Sequence, residues 1–284
     1  MRNILCVVVI SLCFGSPTWA WWGNGHRILT QASVRALPAD MPAFFRQGEK
    51  AIAHISYDAD LFKNRGTPHL DHAEHGEHYF DLELMQGIEI PNRRYAFIDS
   101  CTAHNVRPQK VGFLPYALAE WTERLTIALA EYRKWPEDAT IQNKCLIYAG
   151  FIAHYAEDLC QPLHATVDFD GRKKADGSVE NKGIHEQVDG LVEKLGMDPV
   201  ALAKKQEVAV LDELFPAIMA QVFESNGQVD RVYELAAVMG DLMAPEVQDF
   251  ALARARIAVG FTASLYLTAW ENSAAIKLPG WHQR

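Results

Sequence analysis

Residues 137–160, EDATIQNKCLIYAGFIAHYAEDLC, are the segment that most constrains how this chain can fold. The spacing predicts a long helix, and in its second half apolar residues cover nearly every side. Such a helix must lie inside a packed core, so other helices are expected around it. His154 and Asp158 stand four residues apart in this half and therefore share one helix face.

Helical periodicity also dominates the remaining sequence and predicts an all-α fold. Further helices are expected at 25–37, 114–135, 184–195, 199–206, 208–224, 228–242 and 245–273. Strand alternation is rare, and HYFDLEL (78–84) is the best short candidate. Residues 61–115 and 165–183 resist regular structure. Long irregular segments of this kind are usually functional or mobile.

The first twenty residues have the pattern of a secretory signal peptide. A charged start leads into an apolar run and then into Thr18-Trp19-Ala20, which supplies the small residues of a cleavage signal. The run is too short to span a membrane. We expect cleavage after Ala20 and a secreted or periplasmic protein. The alternative, lipoprotein processing at Cys13, fits the preceding Leu12 poorly.

Residues 21–284 suit a single large domain with an ample apolar core. The net charge of −9 becomes −10 once Arg2 leaves with the leader. An acidic surface argues against an electrostatic grip on duplex nucleic acid. Bound cations could still make one local site positive.

Three cysteines remain after cleavage: Cys101, Cys145 and Cys160. The odd number means at least one free thiol or an intermolecular bridge. On one helix, Cys145 and Cys160 would lie about 22 Å apart, so any intramolecular pair would have to include Cys101.

Two His-x3-Asp pairs indicate a metal site. His154 and Asp158 form one pair, His185 and Asp189 form the other, and His164 of the QPLH turn lies between them. Zinc accepts this mixture of imidazole and carboxylate ligands. One pair alone is more often explained by a satisfied core histidine, but two pairs with a histidine between them favour metal.

Upstream, Asp60 precedes a histidine-rich run that contains His69, His72, His75 and His78. An exposed flexible loop accounts for most of these histidines. We expect one or two to be ligands and favour His78, because it enters an apolar segment that could hold it rigidly.

Cleavage after Ala20 would give Trp21 a free α-amine. The amine nitrogen and the carbonyl oxygen of one residue can chelate a metal in a five-membered ring, and His26 would add a third donor. The alternative is an amphipathic N-terminal helix in which His26 serves only as a cap.

Together these residues resemble the trinuclear zinc single-strand nucleases of fungi and plants (the S-one/P-one type). That family shares an all-helical fold with bacterial zinc phospholipase C. The resemblance spans roughly residues 21–190, and the C-terminal helices match only in general character. The matching pattern comprises Trp21-x4-His26, Asp60, His78-x2-Asp81, His154-x3-Asp158-x5-His164 and His185-x3-Asp189.

The resemblance implies a phospholipase C/nuclease-type multi-helix bundle with long irregular loops and three Zn²⁺ ions. Asp60, His78 and His154 would hold the first zinc. His164, His185 and Asp189 would hold the second. Trp21 and His26 would hold the third, and Asp158 would bridge the first and third ions.

The same resemblance implies roles around the substrate. Lys63 stands where the family usually has an arginine that contacts phosphate, and Asp81 matches the carboxylate that orients this cation. Tyr79 matches an aromatic on which a base could stack. Asp158, Lys63 and Asp81 are therefore the candidate catalytic residues. For Lys63, Asp81 and Tyr79, a surface ion pair or a core aromatic is a nearly equal alternative.

Three departures from the family pattern lie near these ligands. Glu157 replaces a frequent glycine before Asp158, Val188 replaces a frequent tryptophan before Asp189, and NKGIH replaces a more asparagine-rich approach to His185. Each could alter substrate fit, although none removes a ligand. Cys160 is either a soft ligand or a buried thiol at the helix end.

Three functions follow from this interpretation. The first is a zinc phosphodiesterase (an endonuclease) that degrades single-stranded DNA or RNA to 5′-mononucleotides, with 3′-nucleotidase activity as a further possibility. The second is a zinc phospholipase C acting on phospholipid headgroups. The third is a non-catalytic zinc-binding or adhesive protein. The short gap from Trp21 to His26, and aspartate rather than glutamate at Asp189, favour the nuclease. No stable protein partner is implied, and a monomer is expected.

Overall fold

The computed structural model describes residues 21–282, and the expected signal peptide, residues 1–20, lies outside them. The described residues are predominantly helical, and their two strands have two residues each and form one short hairpin. The predicted all-α fold is therefore confirmed. Six helices have ten or more residues: α1 (Gly23–Ala36), α6 (Arg94–Ala103), α8 (Leu114–Lys134), α9 (Ala139–Leu159), α13 (Leu214–Asn226) and α15 (Pro245–Ser273).

Short helices connect these long ones. They are α2 (Ala43–Gln47), α3 (Glu49–Ile55), α4 (Asp58–Phe62), α5 (Pro68–Glu74), α7 (Pro108–Val111), α10 (Ile184–Asp189), α11 (Leu191–Lys194), α12 (Pro199–Ala203) and α14 (Val229–Glu234). Three 3₁₀ helices span His75–His78, Leu82–Met85 and Pro162–Ala165. Strands β1 (Arg172–Lys173) and β2 (Val179–Glu180) pair antiparallel, with Arg172 opposite Glu180.

Helices α8 and α9 form an antiparallel hairpin against which α1, α13 and α15 pack. The turn between them is fixed by Asp138, whose side chain accepts hydrogen bonds from the backbone N–H of Thr140 at 2.8 Å and of Ile141 at 3.3 Å. This N-cap satisfies two of the amides that a helix start leaves without partners. The second half of α9 is buried throughout, as its apolar sequence predicts.

Helix α15 is long and apolar enough to cross a membrane by length and composition alone. However, 67% of its apolar window is buried inside the fold. It packs against α1, α8 and α9 and contributes to both apolar clusters of the described residues. The larger cluster surrounds α8 and α9, and the smaller one lies between α1, α15 and the segment 184–251.

The strand expected over 78–84 is wrong. Tyr79 is extended, with φ −147° and ψ 166°, but His78 ends one 3₁₀ helix and Leu82 begins the next. The backbone N–H of Phe80 donates to His164 O at 2.8 Å, and that of Asp81 donates to Val111 O at 2.6 Å. These hydrogen bonds hold the segment in place without forming a sheet.

Other boundaries also differ from the sequence prediction. Residues 61–115 contain helices α5, α6 and α7 and are not irregular. The helix expected over 208–224 is observed at 214–226, and the one expected over 228–242 ends at 234. Segment 165–183 holds only the short hairpin. Cys101, Cys145 and Cys160 are all buried free thiols, so no disulfide forms among them.

Candidate metal centre

The buried face of α9 brings residues from distant parts of the chain together. Asp158 Oδ1 lies 3.5 Å from Nε2 of His26 on α1. Its other oxygen, Oδ2, lies 3.0 Å from His78 Nδ1, 3.4 Å from His154 Nε2 and 3.7 Å from His164 Nδ1. The two oxygens of one carboxylate thus face different sets of imidazoles.

Three groups of buried side chains have ligand atoms close enough to hold a metal ion. In each group these atoms all lie within 4.8 Å of one another. The groups are His26, His154 and Asp158; Asp60, His78 and His154; and His164, His185 and Asp189. All nine predicted positions except Trp21 therefore belong to at least one group.

Three of the imidazoles are oriented by hydrogen bonds from Nδ1. His26 Nδ1 lies 2.6 Å from Glu157 Oε2, within hydrogen-bond distance, and His154 Nδ1 donates to the carbonyl oxygen of Ser56 at 2.7 Å. His164 Nδ1 donates to the carbonyl oxygen of His78 at 2.6 Å. Each contact leaves Nε2 on the side of the ring that faces the other members of the groups, which is how metal-binding histidines are usually held.

The bond from His154 to Ser56 depends on close packing between α3 and α9. A Cβ added to Gly150 of α9 would lie 2.5 Å from the Ile55 side chain and 3.2 Å from the Ile52 carbonyl oxygen. Glycine therefore permits the approach that places Ser56 beside His154.

His78 has the opposite orientation. Its Nε2 lies 3.3 Å from Glu74 Oε1, while Nδ1 lies 3.0 Å from His154 Nε2 and faces the site. Glu74 in turn accepts a short hydrogen bond from the Tyr155 hydroxyl. The carboxylate and phenol form an outer layer that fixes this imidazole.

Helix α10 carries two members of the third group, His185 and Asp189, and the 3₁₀ helix Pro162–Ala165 carries His164. His185 Nε2 lies 3.2 Å from His164 Nε2 and 3.1 Å from Asp189 Oδ2. Gln161 donates to the other Asp189 oxygen, Oδ1, at 2.7 Å. Asp170 accepts the backbone N–H of Gly183 at 2.7 Å, which anchors the start of α10.

These residues fit metal ions because several of their buried polar atoms have no hydrogen bond. Among residues 21–282, nine buried side-chain nitrogen or oxygen atoms have no hydrogen bond, and seven belong to the three groups. Buried polar groups are almost always paired, so this concentration is the signature expected of a site that binds cations. Imidazole and carboxylate donors suit zinc.

Electrostatics in the site are strongly coupled. Burial lowers the pKa of His26 to about 3, and the neighbouring His154 contributes to this shift. Burial alone would raise the pKa of Asp60, but Lys63 and then His154 hold it at about 2. The imidazoles of His154 and His164 likewise overcome burial and hold the pKa of Asp158 well below its usual range.

Trp21 lies beside these groups at the start of the described chain. Its side chain is fully buried, and the indole Nε1 donates to the carbonyl oxygen of Glu157 at 3.0 Å. The backbone N–H of Trp22 donates to Asp189 O at 3.3 Å. The N-terminal segment is thereby fixed between α9 and α10.

A cleft of about 230 Å³ opens onto the metal groups. Its lining includes His78, His164 and His185 together with Lys63, Tyr79, Asp81, Lys110 and Phe169. Lys63 and Tyr79, the predicted substrate-binding residues, and Asp81, predicted to orient the cation at position 63, thus line the same cleft. Gly112 is required here, because its φ is +95° and a Cβ would lie 2.0 Å from the Tyr79 carbonyl oxygen.

Two carboxylates near the cleft, Asp60 and Asp81, have different electrostatic surroundings. Lys63 Nζ lies 2.6 Å from Asp60 Oδ1, so it forms an ion pair with a member of a metal group. Burial raises the pKa of Asp81 to about 7; Glu83 adds to the rise, and Lys110 opposes it. The Tyr79 hydroxyl donates to Gln109 O at 2.7 Å, which fixes the ring.

Other candidate residues lie apart from the three groups. His69 and His72 are exposed on α5, and His75 lines the cleft without joining a group. Cys160 belongs to none of them, and burial raises the pKa of its thiol. It is the buried thiol at the helix end, as one of the two interpretations of the sequence expects.

Sequence reasoning missed the residues that hold the ligands. Glu74, Ser56 and Gln161 touch His78, His154 and Asp189 respectively, but none carries a motif of its own. Glu157 stood out only as a departure from a family pattern. Gln161 had the clearest available signal, because it sits inside the QPLH turn.

Comparisons with known proteins give little additional information. No protein-family model matches the chain, and no curated protein matches it. Among solved structures, it is similar to the alpha toxin from Clostridium absonum, with 13% identity over 92% of this chain and 68% of the toxin chain, and a TM-score of 0.47. Function must therefore be argued from the site.

Proposed function

We propose that this protein is a zinc-dependent phosphodiesterase. The observation that carries the proposal is the set of three buried His/Asp groups beside a cleft that also exposes Lys63 and Lys110. Three Zn²⁺ ions would bring six positive charges against the three carboxylates Asp60, Asp158 and Asp189. The cleft would then attract a phosphodiester even though the chain as a whole is acidic.

The zinc ions would be held by the three groups together with the Trp21 amine and carbonyl. Asp158 would be shared between two of the zinc ions. When bound, zinc supplies Lewis acidity that activates water and neutralises charge on phosphate oxygens. Lys63 contributes a positive charge to the same cleft, where Asp60 keeps its ammonium group in position. The buried ligands and their hydrogen-bonded partners keep the donor atoms fixed, which reduces reorganisation during the reaction.

For the substrate, we favour single-stranded DNA or RNA cleaved to 5′-mononucleotides, together with 3′-nucleotidase activity. The rings of Tyr79 and Phe169 both line the cleft next to the metal groups. Aromatic rings bind bases by stacking without regard to sequence. A flexible single strand can present a base to these rings and its phosphate to the lysines.

A phospholipid headgroup is the second candidate, and one observation favours it. Val167 and Phe169, on the segment between the third 3₁₀ helix and β1, are 40% and 43% exposed, and Phe169 lines the cleft. Exposed apolar side chains at the mouth of a site can enter a lipid surface. The same reaction chemistry would then act on phosphatidylcholine.

The deciding experiment uses protein that begins at Trp21, loaded with zinc. Single-stranded DNA, RNA and phosphatidylcholine vesicles are supplied separately, each with a chelator control. The proposal expects chelator-sensitive cleavage of polynucleotide. Turnover of lipid alone would replace the nuclease with the phospholipase, and no turnover of any substrate would support a non-catalytic zinc protein.

We also propose that the leader is removed after Ala20 and that the protein acts outside the cytoplasm. Adding one residue before Trp21 should then abolish activity, because the chelating amine becomes an amide. The folded state should persist, since the side-chain contacts of Trp21 are unchanged. Full activity in the extended protein would contradict the role of the amine.

A further inference from the structure

Glu157 is a fully buried residue whose side chain contacts α1 and does not line the cleft. Its Oε2 lies 2.6 Å from His26 Nδ1, within hydrogen-bond distance, and its Oε1 accepts the Thr30 hydroxyl at 2.9 Å. Its carbonyl oxygen accepts the Trp21 indole N–H at 3.0 Å. One residue of α9 thus contacts three residues of the N-terminal segment.

The His26 imidazole lies between two adjacent carboxylates of α9. Nδ1 is 2.6 Å from Glu157, whereas Nε2 is 3.5 Å from Asp158 Oδ1. Both atoms on the Asp158 side lack hydrogen-bond partners, and the Glu157 side is saturated. One nitrogen of the ring is therefore committed to the protein, and the other remains free for a cation.

We propose that Glu157 is a positioning residue for one of the metal ions: it holds the His26 ring with Nδ1 protonated and presents Nε2 to a cation shared with Asp158. This inference rests on the proposed function only in requiring that the three groups bind zinc. A carboxylate behind a ligating imidazole fixes its tautomer and increases its strength as a donor.

The chemistry of the pocket leaves no substitute for this carboxylate. His26 and Thr30 are completely buried, so water cannot replace a lost partner without opening the packing. A buried imidazole N–H without an acceptor is costly. Removing Glu157 is therefore expected to favour the other tautomer or a rotated ring, and either change withdraws Nε2 from the cation.

The test measures zinc bound per chain as free zinc is varied with a metal buffer. Glu157→Leu keeps similar volume but removes both acceptors, and Glu157→Gln keeps one acceptor for His26. Thr30→Val is the matched control, since it deletes a hydrogen bond to Glu157 without touching His26. Loss of such an outer partner typically weakens metal binding about 10–100-fold.

We expect Glu157→Leu to hold one zinc fewer than the wild type at limiting free zinc and to need roughly 10–100-fold more to regain it. The zinc affinity of Glu157→Gln should lie between those of Glu157→Leu and the wild type, and the affinity of Thr30→Val should match that of the wild type. Unchanged affinity for every ion in Glu157→Leu would overturn the inference while leaving the proposed function intact. A wild type that binds no zinc would overturn both.

A second measurement requires no substitution and stands even if Glu157→Leu fails to fold. Nitrogen-15 NMR of the zinc-loaded wild type reports which ring nitrogen of His26 carries the proton. The inference expects the proton on Nδ1 and zinc on Nε2. A proton on Nε2 would contradict it.

Discussion

The imidazole of His26 stacks on that of His154, with ring centroids 4.4 Å apart and ring planes inclined by 27°. His154 belongs to two of the three metal groups, and His26 belongs to one of these. The stacked pair therefore couples the N-terminal helix to the buried helix α9. We expect the metal ions to bind as a connected set and not as independent sites.

Zinc should stabilise the folded protein, because it supplies the missing partners of buried donor atoms. At free zinc 100-fold above the dissociation constant, each site adds about 2.7 kcal/mol to the free energy of unfolding. Thermal unfolding with and without a chelator measures this effect. The midpoint should fall when zinc is removed and recover when it is restored; identical midpoints would argue against metal sites.

Asp189→Asn should separate metal binding from folding. Asparagine can still accept the Gln161 hydrogen bond at Oδ1, which is 2.7 Å in the native protein, but it loses the anionic ligand. Phosphodiesterase kcat/KM should fall by more than the roughly 10–100-fold typical of an outer partner, with little change in unfolding. Glu186→Gln, on the exposed side of the same helix, is the control. Equal activity of Asp189→Asn and Glu186→Gln would contradict a role for Asp189 as a metal ligand.

Asp81 should make stability depend on pH. Its pKa in the folded protein is raised to about 7 by burial and then by Glu83, against the opposing charge of Lys110. The unfolded chain has a pKa near 3.9, so folding must take up a proton between these values. The stabilisation is fully present below about pH 4 and is lost as the pH rises through about 7.

Asp81→Asn removes this dependence and provides the measurement. In zinc-free buffer with chelator, the difference in unfolding free energy between variant and wild type should shift in favour of the variant from pH 4.5 to pH 7.5. Chelation matters because metal binding has its own pH dependence. A constant difference across this range would show that Asp81 titrates normally.

Tyr79→Leu should distinguish a stacking surface from a structural ring. Stacking contributes about 1–3 kcal/mol per base, so kcat/KM for a single-stranded oligonucleotide should drop roughly 5- to 150-fold. Cleavage of an abasic oligomer of the same length should be unchanged, because it has no base to stack. Equal losses on both substrates would assign Tyr79 to packing against Gln109.

The sequence predicted the long helices well because their apolar spacing extends over many residues. The boundaries of α8, α9 and α15 agree with it within about two residues. The strand prediction for segment 78–84 was wrong. Its backbone is held by hydrogen bonds from Phe80 and Asp81 to residues distant in the sequence, and no sheet forms. Such contacts depend on tertiary packing and leave no periodic pattern.

The candidate metal ligands could also be predicted from the sequence, because residues four apart on a helix, such as His154 and Asp158, share one face. Their outer partners could not. The Ser56 carbonyl that orients His154 is a backbone group and therefore independent of residue type. Glu157 is visible in the sequence only as a departure from the family pattern, and its contact with His26 is revealed only when α1 is placed beside it.

The most direct test of the account is elemental analysis of purified protein that begins at Trp21, after equilibration with buffered zinc. The account predicts three zinc ions per chain, all removed by chelator and reduced in number by Asp189→Asn. Protein that retains no zinc under these conditions would contradict the metal centre and the phosphodiesterase function that depends on it.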